Sequence, residues 1–343
     1  MQAIYLHGPQ SASLGQIAEP TLGPGQVRLR VAMVGLCGSD LNSFRGKNPL
    51  VTYPRIPGHE ISATILELGP DVPGQFKTGA PVAVSPYTNC GECPSCRRGR
   101  FNACQFNQTL GVQRDGALTE QIVVPWQRLV SSSILTLREL CLVEPLTVGF
   151  HSVSRGRVAS GEWVAVLGCG TVGLGAIACA SSRGAQVIAV DLDDGKLDLA
   201  KQAGAAHIIH SKNESVLERL RELTGGGGPD VIIEAIGLPD TFRLAVEAVA
   251  FTGRVVYIGY AKEHVSYDTR LFVQKELDIL GSRNATVDDF AAVVKVLEAR
   301  QFPLDATVSH VAPLYAVPEA LANWDRDPAS VRKILIEVHK GNQ

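Results

Sequence analysis

Between Trp163 and Ser182 the chain runs twenty residues without a charge, and the run is broken by Gly168-Cys169-Gly170-Thr171-Val172-Gly173. Twenty apolar residues would be long enough to cross a bilayer. The four glycines Gly168, Gly170, Gly173 and Gly175 argue instead for a short buried strand, a tight turn and a buried helix. A G-x-G-x-x-G pattern carries meaning only in that strand–turn–helix context. There, Gly168 permits the turn, Gly170 lets the backbone approach a pyrophosphate, and Gly173 lets helix and strand pack closely. The helix start that follows, at Thr171 and Val172, offers free N–H groups to phosphate. A second apolar strand ends at Asp191, 18 residues past Gly173, close to the spacing of about 20 at which an acid meets the adenosine ribose. The next residues, Leu192, Asp193 and Asp194, bring no Arg. The pattern therefore predicts NAD rather than NADP, with Lys196 a further candidate at the ribose.

Around this motif, short apolar runs alternate with helical patterns. Trp163–Leu167, Gln186–Val190, Val231–Ile236, Arg254–Ile258 and Leu277–Leu280 read as strands, and segments beginning near Gly173, Asp194, Asn213 and Pro239 read as helices. That alternation predicts a doubly wound parallel sheet. The first 145 residues read differently. Val27–Val34, Ile61–Leu68, Pro81–Val84 and Gln121–Val124 are short strands between Gly and Pro clusters, the pattern of a compact β-barrel-like unit. After about Ser282 come one helix, Val287–Arg300, and a closing strand, Lys333–Val338. With 343 residues, 45% of them apolar, two domains are expected. A net charge of -2 disfavours binding to nucleic acid. Met1–Leu14 lacks the basic start and apolar run of a signal peptide, so the expected location is cytoplasmic.

Four of the eight cysteines fall within fifteen residues, as Cys90-x2-Cys93-x2-Cys96-x7-Cys104. Four thiolates at this spacing close a tetrahedral shell around Zn2+ and leave no open position, which predicts a structural zinc. The spacing is not that of the common ferredoxin runs, and no thioredoxin-like unit surrounds it. Cys141, Cys169 and Cys179 read as buried thiols. Three more segments carry ligand-type residues: Cys37-Gly38-Ser39-Asp40, Gly58-His59-Glu60 and Glu144-Pro145-Leu146. Cys, His and carboxylate make a mixed zinc shell with a position open to substrate. Read singly, each is equally a core Cys or a hydrogen-bonded His, and spacing does not join them.

Taken in order, these pieces resemble the zinc-dependent medium-chain dehydrogenase/reductase superfamily, and most closely its polyol branch of sorbitol dehydrogenase-like sugar-alcohol and sugar-acid dehydrogenases. The matching residues also include Thr147-Val148-Gly149 after the acid-Pro-Leu triplet, and Lys275-Glu276-Leu277 leading to Gly281-Ser282-Arg283. The resemblance implies an α/β chain in three segments. Residues 1–147 would form a GroES-like β-barrel catalytic domain with the four-cysteine lobe at 90–104. Residues 148–284 would form a Rossmann NAD-binding domain, and residues 285–343 would return to complete the first. It also implies two zincs per chain. The catalytic one would be held at Cys37 and His59, with Glu60 and Glu144 as direct, alternating or water-mediated ligands. Ser39 would relay the substrate proton, and Asp40 would orient a ligand.

For substrate, Arg283 matches a position where polyol dehydrogenases carry a substrate-facing Arg. Asn284 departs from the aromatic that often follows it in sorbitol dehydrogenase. Arg45 is a second candidate, and two arginines would suit a carboxylate. A polyol and a sugar acid both stand as expectations. Threonine dehydrogenases tend to follow the triplet with Gly-Asn-Ala, which this chain lacks. A threonine-type or other zinc alcohol dehydrogenase, a zinc-free reductase and a catalytically silent nucleotide-binding homologue are the alternatives, and the complete ligand set argues against the last two. His151 reads as structural. A symmetric homodimer or homotetramer is expected.

Overall fold

A computed structural model describes residues Met1–His339; the last four residues of the expected return segment lie outside the described residues. The chain divides into two compact units, Met1–Glu144 with Leu304–Gln343, and Pro145–Pro303. Fifteen strands are described in chain order: β1 Gln2–Gly8, β2 Ser11–Gln16, β3 Gln26–Leu36, β4 Glu60–Leu68, β5 Pro81–Val84, β6 Gln121–Pro125, β7 Leu129–Ser131, β8 Trp163–Leu167, β9 Gln186–Asp191, β10 His207–His210, β11 Val231–Glu234, β12 Arg254–Tyr257, β13 Asp278–Gly281, β14 His310–Pro313 and β15 Ile334–Glu337.

In the first unit, β3 organises a seven-stranded sheet of order β14-β15-β3-β4-β5-β7, with β6 also paired to β3. One edge of β3 is shared: Gln26–Arg30 pair with β6, and Met33–Leu36 pair with β15. Along its other edge the register with β4 shifts at Arg28/Leu29 and again at Val31/Met33. Such bulges increase local twist and bend a strand, which lets a single long strand serve three neighbours. Apolar residues of β3, β4, β5 and β15, among them Leu29, Val31, Ile61, Ile65, Val82 and Ile336, meet in one buried cluster. The pairing of β15 with β3 brings the C-terminal segment into this sheet.

The second unit holds six parallel strands in the order β10-β9-β8-β11-β12-β13. Numbered from β8, this is the 3-2-1-4-5-6 order of the doubly wound fold. Strand residues Ala165, Leu167, Ile188, Val190 and Ile232 pack with helix residues Leu220, Ala245 and Ala248, the period-2 placement of one sheet face. The uncharged run of the sequence is β8 followed by the helix Thr171–Ser182. No helix among the described residues is long and apolar enough to cross a membrane.

The division corrects the expected boundaries. The second unit runs to Pro303 rather than 284. The helix Val287–Glu298 buries Phe290, Val293 and Leu297, and its Asp289 is bonded to His151 of the same unit. One strand reading is also cut short, and β1, β2 and β10 are strands that the reading did not include. The expected strand Val231–Ile236 stops at Glu234, because the Glu234 side chain takes the Ile236 and Gly237 N–H groups. The β1–β2 hairpin was illegible because Ser11–Gln16 is mostly exposed and lacks apolar alternation. β10 has only two apolar residues between its histidines, and parallel pairing with β9 creates it.

Candidate active site and cofactor turn

The four-cysteine segment folds into a tight lobe. Cys90 and Cys104 sulfurs lie 3.7 Å apart, Cys93 and Cys104 3.9 Å, and Cys90 and Cys96 4.0 Å. A zinc at about 2.3 Å from each sulfur requires sulfurs about 3.8 Å apart, so the donors fit the ion. Backbone N–H groups of Cys93 and Phe106 point at Cys90 and Cys104 sulfurs at 3.3 Å. The Glu92 and Cys93 N–H groups hold the Cys90 thiol below its ordinary range. Burial and the neighbouring thiols push Cys96 up to about 12. Four sulfurs at these spacings suit a tetrahedral cation, which would draw off the thiol protons as it binds.

The dispersed residues converge. Cys37 N-caps the helix Gly38–Phe44 at the end of β3, and His59 and Glu60 stand at the start of β4, the partner of β3. Donor atoms of Cys37, His59 and Glu60 all lie within 4.8 Å of one another. Asp40 builds this corner. Its Oδ2 accepts the Cys37 N–H at 2.9 Å, and its Oδ1 accepts the Gly58 N–H at 3.3 Å and lies 3.7 Å from His59 Nδ1. Burial works against a charged His59, but Asp40 and then Cys37 outweigh it, so the imidazole pKa stands well above its ordinary value. Ser39 Oγ lies 3.4 Å from His59 Nε2. Glu144 is outside the three-residue set; its Oε1 accepts a hydrogen bond from the Tyr87 hydroxyl. Burial, and after it the charge of Glu60, push the Glu144 carboxyl up to about 7.

In the second unit, Gly168 adopts φ +96°, a left-handed conformation that favours glycine, and a Cβ there would meet Ile236 Cγ1 at 2.7 Å. A Cβ on Gly173 would lie 1.8 Å from the Gly168 carbonyl oxygen. Gly170, by contrast, faces open space, and no side chain caps the helix it starts. That is room, with N–H groups at its floor, for a pyrophosphate. Asp191 ends β9 with Oδ2 accepting the Cys169 N–H at 2.8 Å and Oδ1 accepting the Leu192 N–H at 2.8 Å. Lys196 lies half-buried in the first turn of the helix Asp194–Gln202.

Comparison with known proteins finds relatives along nearly the whole chain. Residues 23–133 match the alcohol dehydrogenase GroES-like domain, and residues 171–299 match the zinc-binding dehydrogenase domain. L-galactonate-5-dehydrogenase of Escherichia coli is 30% identical over 335 residues, which cover 98% of this chain and 97% of that protein. Sorbitol dehydrogenase of Bacillus subtilis is 34% identical over 289 residues, 82% of this chain and 81% of that one. An alcohol dehydrogenase of Escherichia coli CFT073 solved with NADH superposes with a TM-score of 0.91 at 29% identity, over 98% of this chain and 99% of that one. The chain belongs to the zinc-dependent medium-chain dehydrogenase/reductase family, in its polyol branch. It is a zinc-type alcohol dehydrogenase.

Two residues of this dehydrogenase's site escaped the sequence reading. Lys333, just before β15, is buried, with Nζ 2.7 Å from each Glu60 oxygen. Tyr87 lies three residues before the cysteine lobe and is buried against Glu144. Neither sits in a motif, and a Lys ahead of an apolar strand ordinarily reads as surface. Arg45, expected at the substrate, is engaged elsewhere: its guanidinium pairs with the Asp325 carboxylate. Arg283 and Asn284 are half-buried in the segment after β13, with Asn284 at φ +53°.

Proposed function

We propose that this dehydrogenase oxidises a secondary hydroxyl of a polyol or sugar acid to the ketone with NAD, and that Cys37, His59 and a carboxylate from Glu60 or Glu144 hold its catalytic zinc. The observation that carries the metal site is the convergence of the Cys37, His59 and Glu60 donor atoms. The substrate class is supported by the relatives that act on galactonate and sorbitol. Zinc bound there supplies Lewis acidity, which lowers the pKa of a substrate hydroxyl. Ser39 Oγ, beside His59 Nε2, takes the hydroxyl proton onward. Asp40 fixes the orientation of His59 and of the Cys37 backbone. Lys333 holds Glu60, and Tyr87 holds Glu144, so different side chains fix the two carboxylates. Cys90, Cys93, Cys96 and Cys104 hold a second, structural zinc.

Gly168, Gly170, Thr171, Val172 and Gly173 cradle the pyrophosphate, while Asp191 and Lys196 meet the ribose. Arg283 and Asn284 are the substrate-side residues. Arg45 is assigned to the packing of its own unit, through Asp325. β13 is an edge strand with Asp278, Ile279 and Gly281 exposed. An unpaired edge is a template for pairing, and we assign it to a symmetric homodimer or to the dimers of a tetramer. None of the eight cysteines is joined in a disulfide, the state that a reducing cytoplasm maintains.

The deciding assay is NADH formation by the zinc-loaded protein across matched panels of polyols and aldonates, with L-threonine alongside. Turnover of aldonates alone supports a carboxylate held by Arg283, and Arg283→Ala then removes it. Turnover of polyols alone assigns Arg283 to hydroxyl recognition. Activity on neither panel, in protein holding two zincs per chain, overturns the substrate class and leaves the family chemistry standing.

A further inference from the structure

The strand order of the second unit reverses between β8 and β11. In a sheet of this order the dinucleotide lies across the carboxyl ends at that point, with one mononucleotide half on each side. Asp191, the ribose acid, ends β9, so the adenosine half belongs to β8–β10 and the nicotinamide half to β11–β13. Glu234 stands at the carboxyl end of β11, fully buried, and no step described above uses it.

Its two oxygens are treated very differently. Oε1 accepts the Ile236 N–H at 2.9 Å, the Gly237 N–H at 2.8 Å and the Thr241 hydroxyl at 2.8 Å. Oε2 is equally buried and meets no hydrogen-bond donor. Among the described residues, no ion pair includes Glu234. A Cβ on Gly259 would come within 2.5 Å of Oε2 and 2.4 Å of the Gly237 nitrogen. The turns after β11 and β12 thus close over the carboxylate at glycine distance. The same turn sets Ile236 beside Gly168 of the phosphate turn, leaving Ile236, Leu238 and Tyr260 exposed.

Burying a carboxylate without a cation is costly. A glutamine would accept the same bonds at one oxygen without that cost, so the turn alone does not require a charge. Oxidised nicotinamide carries a positive ring charge that reduction removes, and a fixed negative charge in a low-dielectric site favours the oxidised ring. We propose that Glu234 is a positioning residue for the cofactor, locking the Ile236–Thr241 turn and holding a negative charge at the nicotinamide end that biases the site towards NAD+ over NADH. This rests on the NAD dependence proposed above and not on the substrate class. The test is done without alcohol, so failure of either leaves the other intact.

The experiment compares dissociation constants of NAD+ and NADH for the zinc-loaded wild type and Glu234→Gln, NADH by its fluorescence and NAD+ by displacement of NADH. The expected result is a rise of about three- to tenfold in the ratio of the NAD+ constant to the NADH constant. Unchanged constants, or equal weakening of both, overturn the proposal, because a merely structural role moves the two together. Glu234→Asp is the control that separates the charge from the turn, and Glu234→Met, which also removes the charge, replaces the Gln variant if that one does not fold. The Asp variant loosens the turn but keeps the charge, so both constants rise by one factor and their ratio stays at the wild-type value. A ratio that climbs in Glu234→Asp also overturns the proposal.

Discussion

Asp40 and Lys333 show how much of this site depends on residues that touch no substrate. Asp40 ties Cys37, Gly58 and His59 together from one buried carboxylate. Partners behind metal ligands typically contribute ten- to a hundredfold in metal affinity, so Asp40→Ala should weaken zinc binding by about that factor. Competition with a chromophoric chelator reads it directly; unchanged affinity would remove Asp40 from the site. Lys333 and Glu60 form a buried pair, and the side chain of Glu60 is so close to β3 that a Cβ on Gly35 would lie 2.0 Å from Oε2. Removing one partner strands a buried charge. Lys333→Met is therefore expected to lose about 3–5 kcal/mol of stability, and adding Glu60→Gln to recover most of it. Urea unfolding of the two variants checks both halves. Of the two residues, Asp40 was legible because it stands three residues after Cys37 in a motif. Lys333 was not, since its partner lies 273 positions away.

At the scale of elements, the helix Val287–Glu298 and the cysteine lobe each hang on a few polar contacts. Asp289 closes a capping box with Thr286 and bonds His151 at 2.9 Å. Burial opposes its charge, but His151 and Thr286 prevail and hold the carboxyl below the ordinary 3.8. A depressed folded value stabilises the fold above 3.8, and that contribution disappears as the pH falls through the lower folded value. Asp289→Ala should cost about 1–3 kcal/mol near neutral pH, with the gap to wild type narrowing only below pH 3.8. Thermal unfolding across pH 3–7 measures it, and a gap that instead narrows between pH 5 and 7 would contradict the assignment. In the lobe, Cys96→Ser leaves three sulfurs for a tetrahedral ion. Bound zinc is expected to fall from two per chain to one, and the 90–104 segment to become a site of proteolytic cleavage. Two zincs retained in Cys96→Ser would show that the lobe does not bind one of them.

On the scale of the whole molecule, local pattern was enough for the strand–turn–helix around Gly168, the acid at the end of β9, the cysteine lobe and the change from β-rich to alternating chain at about residue 145. Each depends on neighbours within a few tens of residues, and turn chemistry and side-chain period act over that range. Resemblance added the expectation that Cys37, His59 and the two carboxylates share a site, which spacing alone did not supply. Long-range pairing decided the rest. β3 against β4 and β15 brings Cys37, Glu60 and Lys333 together from three separate parts of the chain. Buried contacts, rather than any break in the sequence, assign the helix after β13 to the second unit. Arg45 reads in sequence as a candidate at the substrate, and only its packing against the helix Val317–Arg326 gives it Asp325 as partner. The amino-acid sequence determined which donors, turns and periods this dehydrogenase possesses. The tertiary structure decided which of the buried charges face one another, because the cost of leaving a charge unpaired in the core is settled by contacts that no local window contains.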